Sequence, residues 1–287
     1  MKIAGVQTDV LFGDIAGNLE RVASKTREAR QNGADLVIFP ECSLTGYCYE
    51  SLEEALECAQ TVPGPATDSL QSLCRELDCT VVVGLIEREL NSTQVWNTAV
   101  LIGPDGVIVS YRKTHLPFIG VDKIASYGAN PVAIGDVGDF RVGLNICYDA
   151  TLPEPPRCLA LAGADLIALP TNWPKGAECL PAHVANIRAM ENGVYFAAVN
   201  RVGVERGCPF IGGSRICNPY GKTLATADET EETILYADLD LELARRKTAS
   251  REPGVVSLHR EADRRPELYE PLTKPHGMTP PGRSANP

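Results

Sequence analysis

Along the chain, short runs of apolar and β-branched residues alternate with longer stretches whose apolar positions recur every three or four residues. Residues 3–7 read as a first strand. Residues 18–31 read as a helix with Leu19, Val22, Thr26 and Ala29 on one face and Gly33 as its C-terminal cap. A second strand at 35–39 precedes a helix that Thr67 or Asp68 can cap and that carries Leu70, Leu73, Cys74 and Leu77 inward. The strand at 80–86 is almost wholly apolar, as a strand covered on both faces must be. Strands at 97–102 and 107–112 flank Gly103-Pro104-Asp105-Gly106, a turn that joins them as a hairpin ending at Lys113.

The same order then returns: strand 141–146, helix 154–162, strand 165–169, helix 180–192 and strand 194–199. A second hairpin follows, 214–217 and 222–226, with a further strand at 233–237. The repeat is visible in the residues themselves, because GADLVIFPE at 33–41 is echoed by GADLIALPT at 163–171, an offset of 130 residues. Two copies of a unit whose sheet needs cover on both faces predict an α/β fold, a four-layer α-β-β-α sandwich with an internal two-fold pseudo-repeat. One doubly wound parallel sheet is the simpler alternative, but it has no use for paired hairpins. The reading divides the chain into a main domain over 1–241, a C-terminal segment over 242–271 expected to make oligomer contacts, and a Pro- and Gly-rich tail over 272–287.

Composition narrows the partners. A net charge of -10 and no cluster of Lys and Arg argue against nucleic acid and against an anionic membrane surface. No apolar run approaches the ~18 residues of a membrane span, and the N-terminal residues pattern as a strand rather than a signal peptide, so a cytoplasmic location is expected. Ten cysteines without C-x-x-C spacing read as free thiols, and four scattered histidines give a zinc site little support. A small molecule is the expected partner.

Candidate chemistry lies at Cys147. Residues 141–146 form a buried strand, and Pro153, Pro155 and Pro156 suit a turn and the first positions of a helix. A thiol at such a junction stands at the sheet edge, near backbone donors that can hold an oxyanion. Taken alone, a free cysteine is more often a small buried hydrophobe. Two more residues close strands: Glu41 ends the second strand and Lys113 the first hairpin, and ligands of α/β sheets gather at strand ends. The repeat carries Thr171 where the first copy has Glu41, so the turn itself does not require an acid.

IFPE at 38–41, YRKTHL at 111–116 and NICYD at 145–149 resemble, in order and spacing, the three catalytic motifs of the nitrilase superfamily, the carbon-nitrogen hydrolases. PEPPR at 153–157, PTNWP at 170–174, RAMEN at 188–192, NRVGVERG at 200–207 and DRRPELY at 263–269 extend the resemblance over most of the chain. It implies the same sandwich, no metal or organic cofactor, and a homodimer or higher homo-oligomer. It also implies Cys147 as nucleophile, Glu41 as general base, Lys113 beside the oxyanion and the Tyr148 N–H as a second donor. Relatives often carry a second glutamate after the lysine. Here the loop is GVDKIASYGANP, and Asp122 is the nearest acid. Asn172, Trp173, His183 and Arg188 are pocket or supporting candidates.

For the thiol, Lys113 about 4 Å away would favour the thiolate by about 4 kcal/mol at an effective dielectric of about 20, and Glu41 would oppose it by about as much. A resting thiol, deprotonated during attack, is therefore expected. Cys147-Tyr148-Asp149 is similar to amidases and carbamoyl hydrolases. Hydrolysis of an aliphatic amide or N-carbamoyl amine through a thioester, with release of ammonia, is thus the first expectation. A nitrilase is the alternative within the class, and an inactive scaffold or signalling module the alternative outside it.

Overall fold

The computed structural model describes residues 1–252 and 254–283. The first half contains β1 (Lys2–Gln7), α1 (Ile15–Gln31), β2 (Leu36–Ile38), α2 (Leu52–Cys58), α3 (Pro65–Leu77), β3 (Thr80–Arg88), β4 (Val95–Gly103) and β5 (Gly106–Arg112). β6 (Ile134–Val137) closes the first half, and the second contains β7 (Phe140–Leu144), α4 (Glu154–Leu161), β8 (Leu166–Thr171), α5 (Ala185–Asn192) and β9 (Tyr195–Asn200). It continues through β10 (Val204–Glu205), β11 (Cys208–Pro209), β12 (Arg215–Cys217), β13 (Thr223–Thr226) and β14 (Thr233–Asp238). After these come α6 (Leu241–Arg245), the hairpin β15 (Thr248–Glu252) and β16 (Val256–His259), and α7 (Glu270–Thr273).

The strands form two six-stranded sheets, β14-β1-β2-β3-β4-β5 and β6-β7-β8-β9-β12-β13. Three central strands of each are parallel, and the outer pairs are antiparallel. The two halves correspond strand for strand, with one exchange: β6, which follows the first hairpin, crosses over to pair with β7, and β14, which follows the second, returns to pair with β1. Each half thus lends its last strand to the other's sheet. The internal repeat read from the GADL turns is the sandwich's pseudo-symmetry.

Alternation along the strands sorts residues between layers, because successive side chains point to opposite faces. Ala4, Val6, Val37, Phe39, Val81 and Val83 pack against Val22 and Ala29 of α1 and Leu70 and Leu73 of α3. Their neighbours Ile3, Leu36, Ile38 and Val82 join Val142, Leu144, Ala168 and Val199 in the core that holds the sheets together. At Gly5 the sheets approach so closely that a Cβ would lie 3.0 Å from Val199 Cγ2. On the far side, α4 covers the second sheet through Leu159, 3.1 Å from where a side chain on Gly143 would begin. The layers therefore stack helix, sheet, sheet, helix.

Helix bounds differ from the periodicity in three places, the first being α3, which starts at Pro65 with Gly64 as its N-cap, so that Thr67, accepting from Gly64 N (2.8 Å), and Asp68 lie inside the first turn rather than capping it. Asp14 accepts from Gly17 N (2.9 Å) and starts α1 three residues before its apolar stripe begins. The stretch expected as one helix over 180–192 opens with a π-turn, Leu180–Val184, before α5. In the C-terminal segment, Arg245 is tied to the main domain through Asp165 (3.2 Å) and the Asp139 carbonyl (2.7 Å). The tail meets its own chain: Arg283 donates to the Asp122 carbonyl and lies 4.6 Å over the Tyr127 ring. Residue 253 and the last four residues of the tail, 284–287, lie outside the described residues.

Candidate active site

Glu41, Lys113 and Cys147 stand just beyond the C-terminal ends of β2, β5 and β7, and all three are buried. Two links bring these ends together. The first is a pair of carboxylates on one ammonium: Lys113 Nζ donates to Glu41 Oε1 (2.8 Å) and to Asp122 Oδ2 (2.6 Å). The second is Asp149, two residues after Cys147. Its carboxylate accepts from Ile146 N (2.9 Å) and Tyr111 OH (2.8 Å) and pairs with His115 Nδ1 (2.8 Å). Because Tyr111 and His115 flank Lys113, this buried carboxylate straps the end of β5 to the turn that presents the thiol.

Cys147 opens a 3-10 turn, Cys147–Thr151, with φ +45°, a left-handed conformation that costs an L-residue on the order of 1 kcal/mol. The strap across Ile146 N and Asp149 holds it there. Arg188 on α5 secures the far end of the same turn, its Nε donating to Ala150 O (2.8 Å) and its Nη2 to Thr151 O (3.3 Å). Tyr148 turns its ring outward, while its backbone N–H makes no hydrogen bond to any described residue. Asp149 N instead reaches back to Ile146 O (2.9 Å). The turn therefore leaves a free donor next to the sulfur.

Asn97, at the end of β4 nearest the site, organises both acids. Its Nδ2 donates to Glu41 Oε1 (2.7 Å) and Asp122 Oδ1 (2.9 Å), and its Oδ1 faces the Cys42 thiol at 3.6 Å. Glu41 consequently has one oxygen with two donors, while Oε2 is buried without a partner. Burial, opposed by Lys113 and reinforced by Asp122, raises the Glu41 carboxyl above its ordinary range. Burial alone would lower the Lys113 ammonium, but Asp122 and Glu41 more than offset it and hold Lys113 well above its ordinary value.

The sulfur is a thiol at rest. Burial is the largest cause of its raised pKa, Glu41 adds to it, and Lys113, the Thr171 hydroxyl and the Asn172 N–H pull the other way. Near-cancellation of Lys113 against Glu41 was the sequence-based reason for a resting thiol. In the folded site desolvation outweighs both. Thr171 Oγ1 is buried with no hydrogen-bond partner among the described residues, near enough to the sulfur to favour its thiolate.

The remaining candidates divide. Asp122 is in the cluster. Both side-chain polar atoms of Asn172 are buried without partners. Trp173 is packed in the main core, its backbone N–H donating to Asn200 Oδ1 (2.8 Å) while its indole Nε1 is buried without a partner. Arg188 braces the nucleophile's turn from behind, bound to carbonyls and to Glu191. The structure does not bring His183 to the cluster: it lies on the exposed side of the π-turn and makes no hydrogen bond. Sequence reasoning missed Asn97, Tyr47 and the strap role of Asp149. Cys42, next to Glu41, has φ +50° and is not extended, so strand alternation does not set the direction of its thiol. Among the described residues no group of three or more His, Cys, Asp or Glu is placed to hold a metal ion.

This arrangement of a thiol, an ammonium and a buried acid on a duplicated sandwich defines a class, and the chain belongs to the carbon-nitrogen hydrolase family, whose model matches residues 2–248. It is an enzyme of the nitrilase superfamily. Among its relatives is a protein named nitrilase from Pyrococcus abyssi, 38% identical over 94% of this chain and 99% of the relative. Another is an (R)-stereoselective amidase from Pseudomonas sp, 36% identical over 86% of this chain and 88% of the relative. Among solved structures, a glutamate-to-leucine mutant of the amidase from Nesterenkonia sp. AN1 matches with a TM-score of 0.79. It is 26% identical over 95% of this chain and 97% of that one, and it carries the acetamide moiety of fluoroacetamide on its active-site cysteine. Among the described residues no helix is long and apolar enough to cross a membrane.

Proposed function

We propose that the protein hydrolyses a small linear amide, an aliphatic carboxamide or an N-carbamoyl amine, through a thioester on Cys147. Glu41 Oε2 takes the thiol proton as the sulfur attacks the carbonyl carbon, and the oxyanion is met by Lys113 Nζ and the Tyr148 N–H. Collapse breaks the C–N bond, with Glu41 returning the proton to the departing ammonia or amine. Glu41 then takes a proton from water, the hydroxide attacks the thioester, and the acid leaves as Cys147 recovers its proton.

One observation carries this reading: Glu41 is anchored through Oε1 by Lys113 and Asn97, and its other oxygen is buried and unpartnered. A structural carboxylate would have both oxygens satisfied. The cysteine adduct in the Nesterenkonia amidase supports the choice of nucleophile. The relative named nitrilase supports nitrile hydrolysis as the second reading, since thiol addition to a nitrile needs the same groups.

Release of ammonia from primary amides, ureido acids and nitriles tests the proposal. Wild type is expected to act on at least one amide or ureido acid, and Cys147→Ala to be silent on all. Activity confined to nitriles would transfer the proposal to the second reading. Silence of wild type and variant alike would overturn both.

A further inference from the structure

Asp122 does not reach Lys113 unaided. It lies in a short 3-10 turn, Gly120–Lys123, that Tyr47 draws into the interior. Val121 N donates to Tyr47 O (2.8 Å), and the phenol donates to Ile119 O (3.2 Å) and Asp122 Oδ2 (2.8 Å). Gly120, at φ +50°, passes so close to the ring that a Cβ there would lie 2.3 Å from Tyr47 Cε1. Any other residue would push the turn, and Asp122 with it, away from Lys113.

Tyr47 is in turn seated from below. Its N–H donates to Glu205 Oε1 (2.8 Å), as does the N–H of Cys48 (2.6 Å), and Arg201 holds Glu205 Oε2 at 2.6 Å. Asp122 therefore has three side-chain donors, Lys113, Asn97 and Tyr47, spread over both oxygens. Glu41 has two, both on one oxygen. Of the two carboxylates sharing this cation, Asp122 is thus the more fully bound, and Glu41 keeps an oxygen without a donor.

On the reading of the site given above, we propose that Tyr47 is a positioning residue for the reaction: its hydroxyl holds Asp122 in place beside Lys113 and thereby leaves Glu41 as the carboxylate that exchanges a proton with Cys147. The charged and titratable groups facing this pair are Lys113, the Cys147 and Cys42 thiols, Glu205 below, and Arg283 at the Asp122 carbonyl. None of these replaces the lost donor if the phenol is removed. Without it Asp122 leans harder on Lys113 and Asn97, the two donors that lower the Glu41 carboxyl, and Glu41 gives up its proton only at higher pH.

Tyr47→Phe keeps the ring that Gly120 packs on and deletes only the hydroxyl. A donor to a charged group carries enough free energy for a fall in kcat of about tenfold and for an acid limb of kcat/KM moved up by roughly one pH unit. KM is expected to be unchanged, since Tyr47 does not line the attack path. A second readout needs no substrate: the rate at which iodoacetamide alkylates Cys147, followed on its peptide by mass spectrometry, should show the same upward shift. A lowered Tm with kcat and both pH profiles unmoved would make Tyr47 merely structural and overturn the proposal. An alkylation shift in a protein whose wild type hydrolyses no amide would uphold it while sinking the amide reading.

Discussion

The two GADL copies end their strands in opposite chemistry. Glu41 follows β2, which lies between two parallel neighbours, and Thr171 closes β8, which lies between two parallel neighbours of its own. With Gly5 opposite Ile38 and Leu144 opposite Ala168, Thr8 and Cys147 take corresponding places, each three residues past the last paired position of its strand, beside the strands that lead to Glu41 and Thr171. Each copy thus offers one reacting group and one neutral threonine. The proposed base comes from one sheet and the proposed nucleophile from the other. A carboxylate on the strand beside Cys147 would raise the thiol without a cation of its own, Lys113 being shared by Glu41 and Asp122, whereas Glu41 arrives with Lys113 and Asn97 already attached.

The comparison breaks most severely at Glu41. Glu41→Gln keeps the shape and one acceptor but removes the proton acceptor, and a lost general base typically costs 10²–10⁴-fold, so kcat/KM is expected to fall about 10³-fold. The wild-type acid limb should lie above 4.5, because burial and Asp122 raise the Glu41 carboxyl. The sign follows: activity rises with pH as the base ionises. For stability the same shift acts in reverse, favouring the fold below the unfolded carboxylate's pKa and losing that contribution as pH climbs through the raised folded value. Steady-state pH profiles of wild type check the limb, and loss of that limb in Glu41→Gln would assign it. A variant with wild-type kcat/KM would remove Glu41 from the chemistry.

Making the second copy resemble the first is the next largest perturbation. Thr171→Asp places a further carboxylate beside the sulfur, where Lys113 is already shared by Glu41 and Asp122. At about 4 Å and an effective dielectric of about 20 this opposes thiolate formation by about 4 kcal/mol, enough for roughly a 10²–10³-fold loss. Alkylation of Cys147 should slow in parallel, and Glu41→Gln combined with Thr171→Asp should show no rescue. Rescue would mean that the two strand ends are interchangeable and that Lys113 and Asn97 are not what makes Glu41 a base.

Much of this was legible in the residues. Strands covered on both faces are apolar runs, and the GADL echo announces the duplication, so the sandwich could be read before any coordinates. The exchange of β6 and β14 could not. β6 is four residues long and follows a Gly-, Asn- and Pro-rich loop, and nothing in residues 233–237 says which sheet they join. Triad positions stood out because thiol, ammonium and acid are unusual at strand ends. Asn97 did not, being one polar residue in a strand otherwise read for its apolar pattern. Tyr47 and Asp149 do their work through partners more than thirty residues away, at Asp122 and Tyr111, and short-range pattern carries no trace of such pairs. His183 shows the converse: the family resemblance suggested the pocket, whereas the residue lies exposed on the π-turn.

The mildest test asks whether Thr171 is only a neutral filler. Its hydroxyl is buried, has no nitrogen or oxygen partner and favours the Cys147 thiolate. Thr171→Val keeps the β-branched shape that β8 packs around and removes that one polar group. A neutral hydrogen bond contributes about 0.5–1.5 kcal/mol, so deprotonation during attack, and with it kcat/KM, should fall about two- to tenfold. Since no other buried group loses its partner, Tm should hold or rise slightly. Thr171→Ser, which keeps the hydroxyl and loses the methyl, should keep most of the activity and lower Tm instead. If valine matches wild type in rate and in Cys147 alkylation, Thr171 is inert, and the two strand ends differ only in what Glu41 adds. If serine fails as badly as valine, packing at this position controls the thiol, and the hydroxyl does not.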